Sequence, residues 1–250
     1  MVKNYLICAV RPIEEGWHIE KNQDLYHAYQ RMYDLRSISF RKFVAEPFEE
    51  VVLTAPVRNN DEYTMANWQD IHQLWHSEPC NILWVGPDVQ FKKPTKLFGE
   101  FDNFRLFNWT DPKSWYEPNQ YNLKFDYLFN NDLQYYPSTL SPEIWQLERD
   151  MRAEWLLNDS MDSYNNQQLI HNLMFWSQRL TWEDAHRPDL FYQAHLLPWH
   201  DISVMDEWNQ YKMEDANVIH WHGSRDSNVK LDCMQKLNDS FQIPELLELK

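Results

Sequence analysis

The first hundred residues alternate between short apolar runs and segments whose apolar residues recur at helical spacing. Residues 4–10 and 81–85 are nearly continuously apolar, which is typical of strands buried on both faces of a sheet, and residues 50–55 are predicted to form another strand that ends at Pro56. Two helical stripes separate these runs: Leu25, Ala28, Tyr29 and Met32 in the first, and Met65, Trp68, Ile71 and Trp75 in the second. This order of strand, helix, strand, helix and strand predicts an α/β fold with a parallel sheet covered by helices.

The pattern becomes mixed beyond residue 100. Further strands are predicted over residues 104–109, 123–129 and 217–221, and further helices over about 166–180 and from about 226. Another helix is predicted from Ser141, which suits the N-cap position ahead of Pro142 at the first helical position. No internal repeat or linker interrupts the sequence, so residues 1–250 are predicted to form one compact unit.

The composition and the charge narrow the class of protein. Hydrophobic residues make up 43% of the chain and aromatic residues 16%, which is enough for a packed core. The formal net charge of -15 disfavours non-specific binding to nucleic acid or anionic lipid, although two short basic clusters leave a local anion site open. The clusters are Arg36, Arg41 and Lys42, and Lys92, Lys93 and Lys96. With only four glycines, each is expected where a side chain cannot fit, Gly86 among them.

The cysteine spacing and the length of the apolar runs indicate the cellular compartment. Cys8, Cys80 and Cys233 form no Cys-x-x-Cys or zinc-ligand spacing, so the sequence predicts neither a disulfide framework nor a structural zinc site. No stretch approaches the roughly 18 apolar residues of a membrane span. A cytoplasmic protein is therefore expected, in the host cytoplasm if the chain is viral.

Asp88 directly follows the third predicted strand, beside Gly86 and Pro87. Ligands of open α/β sheets bind beyond the carboxyl ends of the strands, and hard divalent cations bind nucleotide phosphates jointly with one or two carboxylates. Asp88 is therefore a candidate metal ligand. The alternative is a turn aspartate that caps the next element.

His220 and His222 lie at alternate positions of the late predicted strand, so both project to the same side, and Gly223 and Arg225 follow them. Imidazole suits manganese or zinc, and an arginine can bind a phosphate. This segment is therefore a second candidate for a metal and phosphate site. The alternative is a pair of structural histidines in a strand.

Four segments occur in the order and rough spacing of motifs from one enzyme family. Residues 81–94 hold Gly86-Pro87-Asp88, residues 127–137 hold Asn130-Asn131-Asp132, residues 168–172 read Gln-Leu-Ile-His-Asn, and residues 218–223 read Val-Ile-His-Trp-His-Gly. They resemble the Asp-x-Asp, Phe-Asn-Ser-Gly-Val, Asp-Gln-Asp-x-Leu-Asn and His-x-x-Gly motifs of GT-A glycosyltransferases, particularly the retaining family 8 and its relatives. The resemblance spans roughly residues 4–225. It implies a Rossmann-like, mixed but mainly parallel sheet flanked by helices, with a helical C-terminal part.

The resemblance also implies a donor, a metal ion and a set of site residues. The donor would be a nucleotide sugar, in the first place a UDP-sugar, and the metal would be Mn²⁺ or Mg²⁺ held by Asp88, His220 and His222. Ala9, Val10 and Arg11 would lie against the nucleoside, Lys92 and Arg225 would contact the diphosphate, and Gly223 would belong to the same donor-binding set. Asn130, Asp132 and Gln168 would line the sugar and acceptor side, with Asp132 or Asp126 orienting the acceptor hydroxyl. Residues 1–100 would form the nucleotide-binding half and residues 101–250 the acceptor half.

Three departures from the family's motifs leave the activity open. Gly86 replaces the first aspartate of Asp-x-Asp, Asn131-Asp132 replaces Ser-Gly, and Leu169 replaces the second aspartate of the third motif. The prediction is an active glycosyltransferase, and the alternative is a degenerate scaffold that only binds a nucleotide sugar or glycan. A nucleotidyltransferase is disfavoured because the chain has neither a glycine-rich phosphate loop nor a clear pair of metal carboxylates.

The acceptor stays open between two classes. A saccharide is the default from the resemblance. The aromatic-rich, glycine-poor composition is also typical of bacteriophage proteins, for which the acceptor would be a hydroxymethylated base in DNA. The acidic net charge counts against DNA, whereas the two basic clusters keep it open. The oligomeric state, and retention or inversion at the sugar, are not predicted.

Overall fold

Eight strands and four main helices follow one another in the computed structural model, which describes residues 2–14, 19–98, 105–109, 128–157, 170–174, 191–195, 212–222 and 227–241. The strands are β1 (Lys3–Ala9), β2 (Glu49–Leu53), β3 (Cys80–Val85), β4 (Val89–Phe91), β5 (Arg105–Trp109), β6 (Leu128–Tyr136), β7 (Phe191–His195) and β8 (Val218–His222). The helices are α1 (Ile19–Phe43), α2 (Asn60–Ser77), α3 (Pro142–Leu157) and α4 (Ser227–Ser240), and residues 170–174 are also helical. A membrane-crossing helix is absent from these residues, since none combines the required length with the required hydropathy.

Five strands form the main sheet, in the order β2-β1-β3-β6-β5. Strand β1 is parallel to both β2 and β3, whereas β6 is antiparallel to both β3 and β5. Four of the five strands therefore run in the same direction, which confirms the expected mixed, mainly parallel sheet. A second sheet has the order β4-β8-β7, with β4 antiparallel and β7 parallel to β8.

Alternate residues of the central strands face opposite helical layers. On one side Ile7 and Ile82 pack with residues of α2 and α3, and on the other side Leu6 and Leu83 pack with residues of α1, β4 and β8. Because β1 lies between β2 and β3, the chain reverses its direction of travel across the sheet after β2. Such a switch point opens a crevice beyond the carboxyl ends of the two central strands, here next to residues 10–11 and 86–88.

The strands and helices predicted in the first hundred residues are confirmed, with shifts of one or two residues at the strand ends. Strands β5 and β8 and helix α4 are confirmed to within one residue at their starts. Helix α3 begins at Pro142 as predicted, and the Ser141 hydroxyl accepts a hydrogen bond from Glu143 N at 3.3 Å. The helix predicted over about 166–180 is helical at residues 170–174, and its remainder lies outside the described residues.

Strand β6 differs most from its prediction. The prediction ended at residue 129, whereas β6 continues through Asp132 to Tyr136, and residues 123–127 lie outside the described part of the chain. The polar residues 130–132 inside it are typical of a turn, but Leu133 and Tyr135 are fully buried and pair with β3, so tertiary pairing overrides the local preference. The pattern also fails to predict β4 and β7. Strand β4 has three residues, too few for a periodicity.

Candidate functional site

Two carboxylates and an imidazole meet at the switch point. One ligand atom from each of Asp88, Asp132 and His220 lies within 4.8 Å of the others, and we call these residues the ligand group. His220 Nε2 lies 3.5 Å from Asp88 Oδ1 and 3.4 Å from Asp132 Oδ2. Within the described ranges, this is the one set of three histidine, cysteine or acidic side chains with such spacing. Carboxylate oxygens and an imidazole nitrogen suit Mn²⁺, Mg²⁺ or Zn²⁺.

The pairing of β4 with β8 holds Asp88 next to His220. Asp88 lies in the turn between β3 and β4, and its carbonyl oxygen accepts a hydrogen bond from Trp221 N at 3.0 Å. The next residue, Val89, is the partner of His220 in the antiparallel ladder and is fully buried. The pairing therefore brings the imidazole from the far end of the chain to the aspartate, as the sequence prediction requires.

Gly86 lies where a side chain would collide with the ligand group. The β3–β6 register pairs Val85 with Leu133, which puts Gly86 opposite Asp132, and Gly86 N donates to Asp132 O at 2.7 Å. A Cβ atom on Gly86 would lie 3.0 Å from Asp132 Oδ1, 3.2 Å from Asp132 Cβ and 3.2 Å from Asp88 Oδ1. These distances are shorter than the roughly 3.5–4.0 Å of favourable carbon contacts. A side chain at position 86 would therefore fit only if the two aspartates moved, which agrees with the expectation that Gly86 stands at a crowded position.

A lysine from the last helix supplies a cation to the ligand group. Lys230 Nζ of α4 lies 2.5 Å from Asp88 Oδ2, and the two side chains are only 11% and 9% exposed. Burial alone raises the pKa of Asp88, but the positive charges of Lys230 and His220 outweigh it and hold the pKa well below its usual range. Asp88 is therefore ionised at neutral pH.

The imidazole of His220 is buried and faces both carboxylates through Nε2. Burial lowers the pKa of His220, but the negative charges of Asp132 and Asp88 outweigh it, so the net shift is upward. A proton and a metal ion would compete for the same nitrogen atom. The two carboxylates and the imidazole nitrogen, with no side chain at Gly86 to crowd them, fit a divalent cation.

Lys230 has no place in the sequence prediction, although its position on α4 carries a signal. Lys230, Met234 and Asn238 are buried at a spacing of four residues, so the lysine lies on the buried stripe of the helix. A lysine at such a position requires an anionic partner because burying an unpaired ammonium is costly. That signal predicts an acidic partner, but it does not identify Asp88.

His222, the third predicted metal ligand, lies beside the ligand group but outside it. Its ring centroid is 5.2 Å from that of His220, as expected for alternate positions on one face of a strand. The close-lying ligand atoms come from His220 and the two aspartates only, within the described residues. His222 is the last residue of β8 and is half-buried. Its role as a ligand stays a prediction.

The three residues predicted to contact the nucleoside have different surroundings. Val10 lines a cavity of about 470 Å³ between the ends of β1 and β2 and helix α1. Ala9 packs in the apolar cluster beneath α2. Arg11 donates to Asn67 Oδ1 at 2.7 Å and forms an ion pair with Asp70, both on α2. The arginine therefore anchors the segment after β1 to this helix.

Of the other residues predicted to bind the donor or the acceptor, Lys92 lies away from the ligand group, Asn130 lies in β6, and four lie outside the described residues. Lys92 Nζ donates to the carbonyl oxygens of Met213 and Glu214 at 2.8 and 3.1 Å, beyond the end of β4 that is farther from the ligand group. Asn130 lies in β6, and its side chain is not described. Four predicted residues lie outside the described ranges: Asp126, Gln168, Gly223 and Arg225. Their roles stay predictions.

Arg36, from the first basic cluster, is buried rather than displayed on the surface. Its Nη1 donates to Val85 O at 3.1 Å, at the C-terminal end of β3. The guanidinium carbon lies 4.8 Å from the ring centroid of Tyr33 and 5.2 Å from that of Phe40. Arg41 is 71% exposed and pairs with a glutamate. The cluster therefore does not form one basic surface.

Comparisons with known proteins bear on the fold. No protein-family model matches the chain, and no protein of curated function matches it either. Its structure is similar to the crystal structure of a glycosyltransferase involved in the glycosylation of the major capsid of PBCV-1, with a TM-score of 0.51 and 12% sequence identity. The match covers 93% of this chain and 99% of that chain. The protein therefore has a GT-A-like glycosyltransferase fold, with the ligand group at the switch point of its sheet.

Proposed function

We propose that the protein is a glycosyltransferase that moves a sugar from a nucleotide-sugar donor to an acceptor hydroxyl with the help of a divalent metal ion. One observation carries the proposal: Asp88, Asp132 and His220 converge at the switch point of a glycosyltransferase fold. Ligands of such sheets bind in this crevice, and divalent ions join diphosphates to carboxylates. The donor that we propose is a UDP-sugar, and the ion is Mn²⁺ or Mg²⁺.

The charged groups of the site would stabilise the negative charge of the departing diphosphate. Breaking the bond between sugar and diphosphate leaves negative charge on a phosphate oxygen, which a bound divalent ion neutralises as a Lewis acid. Asp88, ionised at neutral pH, and His220 would hold that ion. Both side chains are buried, so water screens these charges little. Lys230 brings a second positive charge to the same place.

The cavity beside Val10 supports a position for the nucleoside. Val10 and Val52 give it apolar walls, and Arg31, Asp34 and Thr54 give it hydrogen-bonding groups. Its volume of about 470 Å³ is within the range of small-molecule sites, which combine these two kinds of lining. We therefore propose that residues 1–100 bind the donor and residues 101–250 bind the acceptor.

A saccharide is the acceptor that we propose. Among the described members of the basic clusters, Lys96 is exposed, whereas Arg36 is buried and Lys92 and Lys93 donate to backbone carbonyl groups. Together with the net charge of -15, this leaves little positive surface for a duplex. The structural neighbour takes part in the glycosylation of a viral capsid, so a protein-bound glycan is the acceptor class to test first.

We expect no salt-sensitive binding to duplex DNA that contains 5-hydroxymethylcytosine. An enzyme that modifies DNA must neutralise phosphates, and its affinity falls by about 10³-fold or more between roughly 50 and 200 mM salt. Fluorescence anisotropy of a labelled duplex at these two salt concentrations measures the effect, with an unmodified duplex as the control. A steep loss of affinity over this range would favour DNA as the acceptor.

Donor hydrolysis with and without manganese tests the proposed function. We expect the wild-type protein to hydrolyse a member of a nucleotide-sugar panel slowly, and EDTA to stop the reaction. The substitution His220→Ala is expected to lower Mn²⁺ affinity at least about tenfold. Removal of a residue that only hydrogen-bonds to a metal ligand already costs roughly 10–100-fold in metal affinity. His76→Ala is the matched control, since His76 is exposed in the last turn of α2 and lies outside the ligand group. Calorimetric titration of Mn²⁺ measures both variants.

A scaffold that only binds a nucleotide sugar is the second candidate function. The observation that favours it is Lys230, whose ammonium already neutralises the Asp88 carboxylate through Oδ2. Tight donor binding without hydrolysis at any manganese concentration would support this candidate. A protein that binds no nucleotide sugar, with or without Mn²⁺, would contradict both candidates.

A further inference from the structure

A carboxylate can reach the space beside Asp88 from two positions, one in β6 and one in the turn after β3. Asp132 supplies it from β6, with Oδ2 at 3.4 Å from His220 Nε2. A Cβ atom on Gly86 would point into the same space, at 3.0 Å from Asp132 Oδ1 and 3.2 Å from Asp88 Oδ1. An aspartate at position 86 would therefore require the volume that the Asp132 carboxylate fills. Carboxylates at positions 86 and 132 would therefore crowd each other.

Two of the departures from the motifs that the chain resembles, at positions 86 and 132, are related to each other. Gly86 stands where the Asp-x-Asp motif has its first aspartate, and Asp132 stands where the Ser-Gly pair has its glycine. The register of β3 and β6 places these two positions opposite each other, and the hydrogen bond from Gly86 N to Asp132 O joins them. An aspartate and a glycine have therefore changed places across one strand pair.

We propose that Asp132 is a metal ligand that supplies, from β6, the carboxylate that the Asp-x-Asp motif supplies from the turn after β3, and that Gly86 is glycine because Asp132 occupies the space. The inference rests on the divalent ion of the proposed function. It assigns Asp132 to the metal ion instead of the acceptor hydroxyl. Two carboxylates then face the same nitrogen of His220, at 3.5 and 3.4 Å.

The exposure of the two aspartates supports different positions around one ion. The Asp88 side chain is 9% exposed and the Asp132 side chain is 34% exposed. Asp88 therefore lies on the protein side of the ion, whereas Asp132 lies on the side that a donor approaches from solvent. Both are held by backbone pairing of strands, Asp88 through Trp221 N and Asp132 through Gly86 N. A site built on paired strands keeps its ligands in place before the ion binds.

Moving the carboxylate back to position 86 tests the exchange. We compare the wild-type protein with Gly86→Asp, Asp132→Gly and the double variant by calorimetric titration of MnCl₂ and by the electron paramagnetic resonance of bound Mn²⁺. Asp132→Gly is expected to lower the Mn²⁺ affinity at least about tenfold. Gly86→Asp is also expected to lower it, because two carboxylates then compete for one space. The double variant is expected to recover most of the wild-type affinity, since the two positions are coupled.

A second double variant separates the carboxylate from simple filling of the space. Gly86→Ala combined with Asp132→Gly places a methyl group there without a charge, and it must bind Mn²⁺ as weakly as Asp132→Gly. Circular dichroism and thermal unfolding establish that each variant is folded. A folded Gly86→Asp/Asp132→Gly protein that binds no better than Asp132→Gly overturns the inference and leaves Asp88 and His220 as ligands. A wild-type protein that binds no Mn²⁺ overturns the proposed function, and this inference with it.

Discussion

Asparagine in place of Asp88 is expected to reduce metal-dependent turnover of the donor by at least about 10³-fold, because losing one preorganised charge-stabilising group alone costs roughly 10²–10³ in kcat. Asp88 joins the parts of the site: its oxygens lie 3.5 Å from His220 Nε2 and 2.5 Å from Lys230 Nζ. Asparagine keeps the shape of the side chain and removes its charge. The ion would then lose its most buried anionic ligand. Quantification of released nucleoside diphosphate under single-turnover conditions measures the effect.

Asp232→Asn is the matched control for this substitution. Asp232 also pairs with a lysine, Lys236, but its side chain is 62% exposed on the outside of α4. It removes the same charge from the chain and is expected to leave turnover unchanged. Rates are compared per folded protein, since Asp88→Asn leaves the buried ammonium of Lys230 without an anionic partner. Near wild-type turnover and Mn²⁺ binding in folded Asp88→Asn would exclude Asp88 as the metal ligand.

Glutamine in place of Glu148 is expected to lower the free energy of unfolding by about 3–5 kcal/mol, the usual cost of removing one partner of a buried ion pair. Glu148 Oε1 accepts hydrogen bonds from Arg152 Nη2 and Nε at 2.5 and 3.2 Å, and lies 3.0 Å from His171 Nε2. All three side chains are 1% exposed. The substitution leaves a buried guanidinium without a carboxylate. Urea unfolding at neutral pH measures the loss.

The same ion pair predicts how stability depends on pH. Burial raises the pKa of Glu148, but the charges of Arg152 and His171 outweigh it, and together they lower the pKa from 4.5 to about 2. A carboxyl group with a lowered pKa in the folded state contributes stability above its unfolded pKa and loses it as the pH falls through the folded one. The difference in stability between wild type and Glu148→Gln is therefore expected to be full at neutral pH. It is expected to shrink between pH 4.5 and about 2.

Asp150→Asn is the control on the same helix. Asp150 lies 3.5 Å from Arg149, and both side chains are 59% exposed. Exposed pairs contribute about 0–1 kcal/mol, so this variant is expected to unfold close to the wild-type urea midpoint at every pH. Equal midpoints for Glu148→Gln and Asp150→Asn would show that the buried pair does not contribute the expected stability.

Strands β1, β2 and β3 could be located from the sequence because their apolar runs leave little choice of element. Strand β4 could not, since it has three residues and its middle residue is Gln90. Gln90 can be fully buried because its side-chain amide is hydrogen-bonded: Nε2 donates to Asn238 Oδ1 of α4, and Oε1 accepts from the indole of Trp221. These partners come from distant segments, and local periodicity contains no information about them. The predicted end of strand β6 is too early for the same reason, because pairing with β3 overrides the polar residues 130–132 inside the strand.

Some residues of the candidate site could likewise be chosen from the sequence, whereas others could not. Asp88 and His220 could be chosen from the sequence, since a carboxylate directly after a buried strand and a histidine inside one are local observations. Asp132 was assigned to the acceptor, and only the strand register places it opposite Gly86. Lys230 was missed, because its partner is decided by the docking of α4 against the sheet.

Periodicity and residue chemistry were therefore sufficient to predict the α/β fold and two members of the ligand group, because residues that are close in sequence show the pattern of burial. Which polar side chains share one space depended on strand register and helix docking between segments far apart in the chain. A register slip of one residue between β3 and β6 would turn the Asp132 side chain to the other face of the sheet. Contacts across the whole core prevent that slip, and they exist only in the folded chain.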